Sequence, residues 1–224
     1  MHRTRLCAAA ALFVAVASPR LNAQGFNGVM QFVSYERNSD QADTITQITK
    51  GSKTRVEGMG RGGGAMIMDG TSRIIILPEQ KQYMELPMNF GDRAGDRESA
   101  KHHGVAEKTG KTETIAGIKC DDWHYKGTSS DDKPEEGDAC VAQGAGLLIG
   151  RLAGGVTRHL FGAGGKEFND AISNGGGLMK VTENGKVTLL AVKAQETSVP
   201  DAMFAPPSDY TKMDMSQMAR PHKP

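Results

Sequence analysis

Residues 65–77 read AMIMDGTSRIIIL: four apolar or small residues, an Asp-Gly pair, and a run of β-branched and aliphatic residues. Asp-Gly accepts the positive φ angles of a tight hairpin, so Ala65–Met68 and Arg73–Leu77 read as two antiparallel strands around Asp69-Gly70. The same grammar repeats on both sides. Upstream, Asp43–Thr49 and Lys53–Gly58 flank the short turn Lys50-Gly51-Ser52. Before them FNGVMQFVSYER (Phe26–Arg37) sets Phe26, Met30 and Phe32 on one parity and Val29, Val33 and Tyr35 on the other, the period of a strand covered on both faces. Downstream, Pro78-Glu79-Gln80 turns the chain into Lys81–Leu86. The first third of the chain is therefore a meander of about six short strands.

Farther on, residues 88–111 are polar and glycine-interrupted and read as a loop with one helical turn. Thr112–Ile115 and Ile118–Lys126 resume strand character around Ala116-Gly117, and residues 129–138 (SSDDKPEEGD) read as an acidic turn in water. Between Val141 and Ile172, Leu148, Leu152, Val156 and Leu160 recur every fourth residue, which predicts one or two amphipathic helices. Asn184-Gly185 joins strands Leu178–Glu183 and Lys186–Glu196, while Val199-Pro200 and Pro206-Pro207 exclude a central strand. Runs of strands with one helical insertion predict an antiparallel α+β fold.

Composition narrows the function classes. The 224 residues carry 27 Lys and Arg against 26 Asp and Glu, a net charge of +1, which gives no general drive toward nucleic acid or an anionic membrane. Aromatic residues are 5% of the chain while Gly supplies 28 and Met 12, so the core is expected to be aliphatic and methionine-rich around many turns. Arg3 and Arg5 precede an apolar run, Leu6–Ala17, that is too short to span a bilayer, followed by Ser18, Pro19 and a small residue at Ala23. This is the pattern of a secretory signal peptide over residues 1–23, cut after Ala23 or Ala17. Export, to the periplasm, removes Cys7 and leaves Cys120 and Cys140, which in an oxidising compartment are expected to form one disulfide. A closed loop of about 20 residues stabilises by roughly 3 kcal/mol on the chain-entropy model. Residues 24–212 then form a single domain and 213–224 a flexible tail.

Catalytic patterns are not met. There is no G-x-S-x-G elbow and no H-E-x-x-H helix; Gly144-x-Gly146 with Gly150 misses dinucleotide spacing, and Gly164-Gly165-Lys166 is followed by Glu167 rather than Ser or Thr. No enzyme activity and no cofactor are expected. His102-His103 with His124 is a conceivable metal set, though two exposed loop histidines are the plainer reading. The methionines are richer: Met66 and Met68 share a strand face, Met59, Met84 and Met88 lie on neighbouring segments, and Met213, Met215 and Met218 close the chain. Thioethers select Cu(I), which makes a copper-binding stress protein the alternative function; thioethers also fill irregular apolar pockets, which suits a lipid site.

Several stretches together resemble DUF4412, a family of exported bacterial proteins: KGSKTRVE (50–57), MIMD (66–69), Ile76-Leu77-Pro78 with Tyr83, TIAGIKCDDW (114–123), Cys140, and AMFAPPSDYTKM (202–213). The closing segment also resembles the end of LolA/LolB-type lipoprotein carriers, and Arg55 falls where such carriers often place a basic residue. The resemblance implies a strongly curved antiparallel sheet, a half-open β-barrel with helices in its mouth and an apolar cavity. The resulting expectation is a non-catalytic periplasmic binding or chaperone-like protein holding a lipid or other apolar ligand. Its cavity is assigned to Phe32, Met66, Met68, Ile75, Met84, Trp123 and Leu189, with Leu148 and Leu152 as a lid; an apolar strand face is more often plain core than cavity.

Overall fold

The computed structural model describes residues 25–35, 41–59, 62–87, 103–128, 133–145 and 165–214. They form one twelve-stranded sheet: β1 (Gly28–Tyr35), β2 (Ala42–Lys50), β3 (Lys53–Met59), β4 (Gly64–Met68), β5 (Ser72–Leu77), β6 (Gln82–Pro87), β7 (His103–Ile115), β8 (Ile118–Thr128), β9 (Pro134–Gln143), β10 (Gly176–Glu183), β11 (Lys186–Glu196) and β12 (Thr211–Lys212). The spatial order is β12-β6-β5-β4-β3-β2-β1-β11-β10-β9-β8-β7. Two meanders, β1–β6 and β7–β11, meet where β1 pairs with β11, and every pairing is antiparallel except that of β12 with β6.

This corrects the expected fold class. The architecture is an all-β open sheet rather than an α+β half-open barrel, and its ends do not meet: β7 stands at one edge and β12 covers the other. Among the described residues the helical content is one helix, α1 (Gly165–Ser173), with single 3-10 turns at Pro78–Gln80 and Asp201–Phe204. The helical insertion fails at its start because Val141–Gln143 continue β9, and Leu148, Leu152, Val156 and Leu160 lie outside the described residues. In α1, Phe168 and Ile172 are one turn apart and both buried, and Phe168 meets Trp123 edge-to-face at 5.3 Å between ring centroids.

Two further readings change. Residues 103–111, read as loop, belong to β7, and Pro134–Asp138, read as an acidic turn, open β9. The first is polar because β7 is an edge strand whose side chains, Glu107 to Thr112 included, are largely in water, so no hydrophobic alternation marks it; the second, on an internal strand, is polar because Glu136 and Asp138 lie exposed beside His124 and Lys126. The central hairpin is shifted by one residue. Gly70 holds the positive φ (90°), and Asp69 caps the turn by accepting hydrogen bonds from the Thr71 and Ser72 N–H groups at 2.9 and 2.8 Å and from Thr71 Oγ1 at 2.8 Å. At Asn184-Gly185 both residues adopt positive φ (49° and 78°), the two-residue turn the dipeptide implies.

The two sheet faces can be followed strand by strand from the register. On one, Met30, Gln47, Val56, Met66, Ile75 and Met84 stand in a single row across six strands; we call it the methionine face. On the other, Val29, Ile48, Arg55, Ile67 and Ile74 form the matching row. The closing segment from Val199 to Tyr210 lies over this second face: Val199 and Phe204 are buried against Ile48, Ala65, Ile67 and Ile76, with Met203 and Tyr210 packed beside them. It then ends as β12, where Thr211 and Met213 donate N–H bonds to the Lys81 and Tyr83 carbonyls. Cys120 on β8 and Cys140 on β9 form the expected disulfide, both buried, with Cα atoms 5.4 Å apart.

Backbone N–H donors from Ser72 and Thr71 hold the Asp69 carboxyl down to about 2 from the ordinary 3.8. Its folded value lies below its unfolded one, so its contribution is complete above about pH 4 and is lost as pH falls toward 2. Melting temperature measured down that range should fall more steeply in the native protein than in Asp69→Asn, which has no carboxyl to protonate. At Gly137 an added Cβ would lie 1.9 Å from the Thr182 carbonyl oxygen and 2.5 Å from the Tyr125 hydroxyl. Gly137→Ala should destabilise the fold by about 1–3 kcal/mol in urea denaturation.

Candidate functional site

The methionine face is where the sequence-derived cavity residues come together. Phe32, Met66, Met68, Ile75, Met84, Trp123 and Leu189 occupy seven positions on six strands, and the register places all of them on this one face: Trp123 lies opposite Ala139, Val181 opposite Leu189, and Leu189 opposite Ser34. They divide into two groups. Phe32, Trp123 and Leu189 are 2%, 2% and 0% exposed and sit in a packed core with Phe26, Met30, Phe168, Ile172, Met179 and Val181. This half of the face is occupied by the protein's own side chains.

The second group, on β4–β6, is different. Met66 and Met68 are buried, while Ile75 and Met84 are half-buried. Val56 and Leu86 complete the patch, and Arg73 stands in the same row between Met68 and Leu86. A buried polar seam borders it: Gln47, Thr49 and Thr54, with Gln47 Nε2 donating to Thr49 Oγ1 at 3.2 Å. Val56, Leu86, Arg73 and the seam were not singled out by the sequence. Gln47 is 1% exposed, and only its register position between Met30 and Val56 reveals that it points inward. Leu148 and Leu152, the expected lid, lie outside the described residues.

Arg55, in the K-x-R-V-E stretch, is not on this face. It stands on the opposite one, largely buried, where its Nε donates to Glu57 at 2.7 Å and its Nη1 to the Met203 carbonyl at 3.2 Å. Nearby, Lys50 and Lys53 both bond Asp201, at 2.9 and 3.1 Å, and hold its carboxyl below the usual range. These residues fasten the closing segment to β2 and β3 rather than forming a ligand site.

A polar cluster crosses β7, β8 and β9. His124 Nδ1 lies 2.8 Å from Asp138 and its Nε2 3.2 Å from Glu136, which also pairs with Lys126 at 3.3 Å. A shallow depression of about 400 Å3 beside it is lined by Val105, Glu107, Lys108, Thr109, His124 and Lys126. Farther along, Lys180 pairs with Glu113, and burial followed by the Glu113 charge pushes the neighbouring Asp122 carboxyl up. Of the histidine metal set, His103 pairs with Thr128 while His124 pairs with Glu107, so their backbones stand four strand residues apart, roughly 13 Å along the strand. His102 lies outside the described residues. Among the methionines of the copper alternative, Met66, Met68 and Met84 share the methionine face, Met213 is half-buried beside Tyr83, and Met88, Met215 and Met218 lie outside the described residues.

With Arg55 as a fastener, Arg55→Met should cost about 1–3 kcal/mol, since Glu57 and the Met203 carbonyl lose a charged donor. Hydrogen exchange at Met203–Tyr210 should rise more than in β8–β9.

Comparison with known proteins bears on the family. No curated protein matches the chain. Among solved structures it is similar to an uncharacterized conserved protein from Thermus thermophilus, at 12% identity over 83% of this chain and 89% of that one, with a TM-score of 0.43. It is also similar to PNGF-II, at 9% identity over 84% of this chain but only 31% of that one, with a TM-score of 0.44. The model of a family described as a domain of unknown function, DUF4412, matches residues 26–210, from just before β1 to the end of the segment that covers the second face. The chain belongs to the DUF4412 family.

Proposed function

We propose that this is an exported, non-catalytic binding protein of the periplasm that holds an apolar ligand, such as a lipid acyl chain, against the methionine face of β3–β6. One observation carries the reading. Val56, Met66, Met68, Ile75, Met84 and Leu86 form a contiguous, mainly apolar patch on four adjacent strands, half-open at Ile75 and Met84 and belonging to neither packed core. The other face of the same strands is covered by the chain's own closing segment; on the methionine face Val56, Met66, Met68 and Leu86 are already buried, and the half-buried Ile75 and Met84 are where a guest would enter.

The residue types suit that role. Methionine is unbranched and polarizable, so it adapts to chains of differing length and kink where a Val or Ile wall imposes one shape. Apolar burial supplies the binding energy, roughly 25 cal/mol for each Å2 removed from water. The N-terminal signal pattern of residues 1–23 supports a ligand met outside the cytoplasm.

The test is titration with a fluorescent acyl probe, dansyl-undecanoic acid, together with native mass spectrometry of protein taken from its own compartment. The expected result is saturable binding that weakens about tenfold or more in Met84→Glu, because a carboxylate must be desolvated in the site. The melting temperature of that variant should stay near that of the native protein. No probe binding and no co-purified lipid, or affinity unchanged in both Met84→Glu and Ile75→Glu, overturns the reading.

A further inference from the structure

The two edges of the sheet are treated differently. At one, β12 lies parallel to β6 and satisfies part of its main chain from within the protein. At the other, β7 is last in the strand order and has no second strand partner among the described residues, α1 packing against it. An open edge is a template for another strand. Val105 sits on it at 59% exposure, the most exposed of the large apolar residues described. Glu107, two residues on, shares its face, and among the described residues it makes no ion pair. The nearby basic side chains are engaged elsewhere: His124 with Asp138 and Glu136, Lys126 with Glu136, and Lys108 with Asp121.

We propose that β7 pairs antiparallel with β7 of a second copy of this chain, with the two-fold axis passing beside Val105. A two-fold normal to the sheet brings same-face residues opposite one another, so few registers are open. Centred on Val105, the ladder sets Val105 against Val105, Gly104 against Ala106, and Glu107 against position 103, a histidine. Centred on Glu107, it would set two carboxylates face to face, a destabilising cross-strand pair, and would run into the irregularity between Lys108 and Thr112. Centred on Ala106, it would set each Val105 against a Glu107. The Val105 register alone joins the exposed apolar residues, separates the like charges and ends before the bulge. It also brings together the two depressions lined by Val105, Glu107, His124 and Lys126, one from each copy.

The self-complementarity of these positions favours a second copy over a foreign peptide. The ladder is short, so the dimer belongs to the weak, reversible class of interface. It does not depend on the ligand reading, since β7 lies at the far end of the sheet from the patch on β3–β6.

Sedimentation velocity over a concentration series from micromolar to millimolar should show a monomer–dimer equilibrium, weakened about tenfold or more in Val105→Lys, which places two ammonium groups at the axis. Benzoylphenylalanine at position 105 should photo-cross-link to residues 103–107 of the second copy. A monomer throughout, a dimer indifferent to Val105→Lys, or adducts mapping to another part of the chain or to another protein overturns the proposal.

Discussion

The structure depends on β1. This eight-residue strand is hydrogen-bonded on one side to β2 and on the other to β11, and it is the sole link in the ladder between the two meanders. Both of its faces are used: Val29 packs with the cluster under the closing segment, while Met30 and Phe32 enter the core that surrounds Trp123 and Phe168. Large side chains on β1 meet small ones on β11, Met30 opposite Ala194 and Phe32 opposite Ala191, and the register shift at Val192 makes both matches possible. Slipping this strand by one residue would exchange its two sets of apolar side chains between unlike environments, so its register is strongly specified.

From that junction the two halves diverge in how they bury their apolar surface. The β7–β11 half uses a helix, α1, whose Phe168 and Ile172 fill the face carrying Trp123 and Leu189, and a disulfide that ties β8 to β9. The β2–β6 half uses an extended segment instead. Pro200 and the Pro206-Pro207 pair bracket the turn that carries Met203 and Phe204, Arg55 and the Lys50–Asp201–Lys53 group fix it, and β12 carries it onto the sheet edge. Surface ion pairs of this kind are individually weak, so Val199 and Phe204 must supply most of the attachment. Lys50, Lys53 and Arg55 of the family-like stretch K-G-S-K-T-R-V-E thereby meet Asp201 and the stretch A-M-F-A-P-P-S-D-Y-T-K-M in one contact, while Val56 of the same stretch turns to the methionine face.

How well the sequence announced each element follows from how that element is buried. The strands of the first meander alternate or run apolar because both of their faces carry apolar side chains, and their turns carry Gly or Pro, so all six were legible. β7 was not, because an edge strand in water carries Glu107, Lys108, Lys111 and Glu113 with no periodic apolar mark. Of the candidate site, the methionines were visible as residue types at strand spacing. The division between packed core and half-open patch was not, since Phe32 and Met84 look alike in the sequence and differ only in whether Phe168 and its neighbours reach them.

Read alone, the sequence determined the hairpins of the first meander, the pairing of Cys120 with Cys140, and which residues of each strand share a side, because these rest on turn geometry, cysteine spacing and the two-residue period of a strand. Tertiary structure decided that β1 joins β11, that the sheet stays open, that Arg55 faces the closing segment rather than a ligand, and that β12 pairs with one edge while β7, among the described residues, has no second strand partner. Those outcomes depend on contacts between residues more than a hundred positions apart, and no local propensity encodes them.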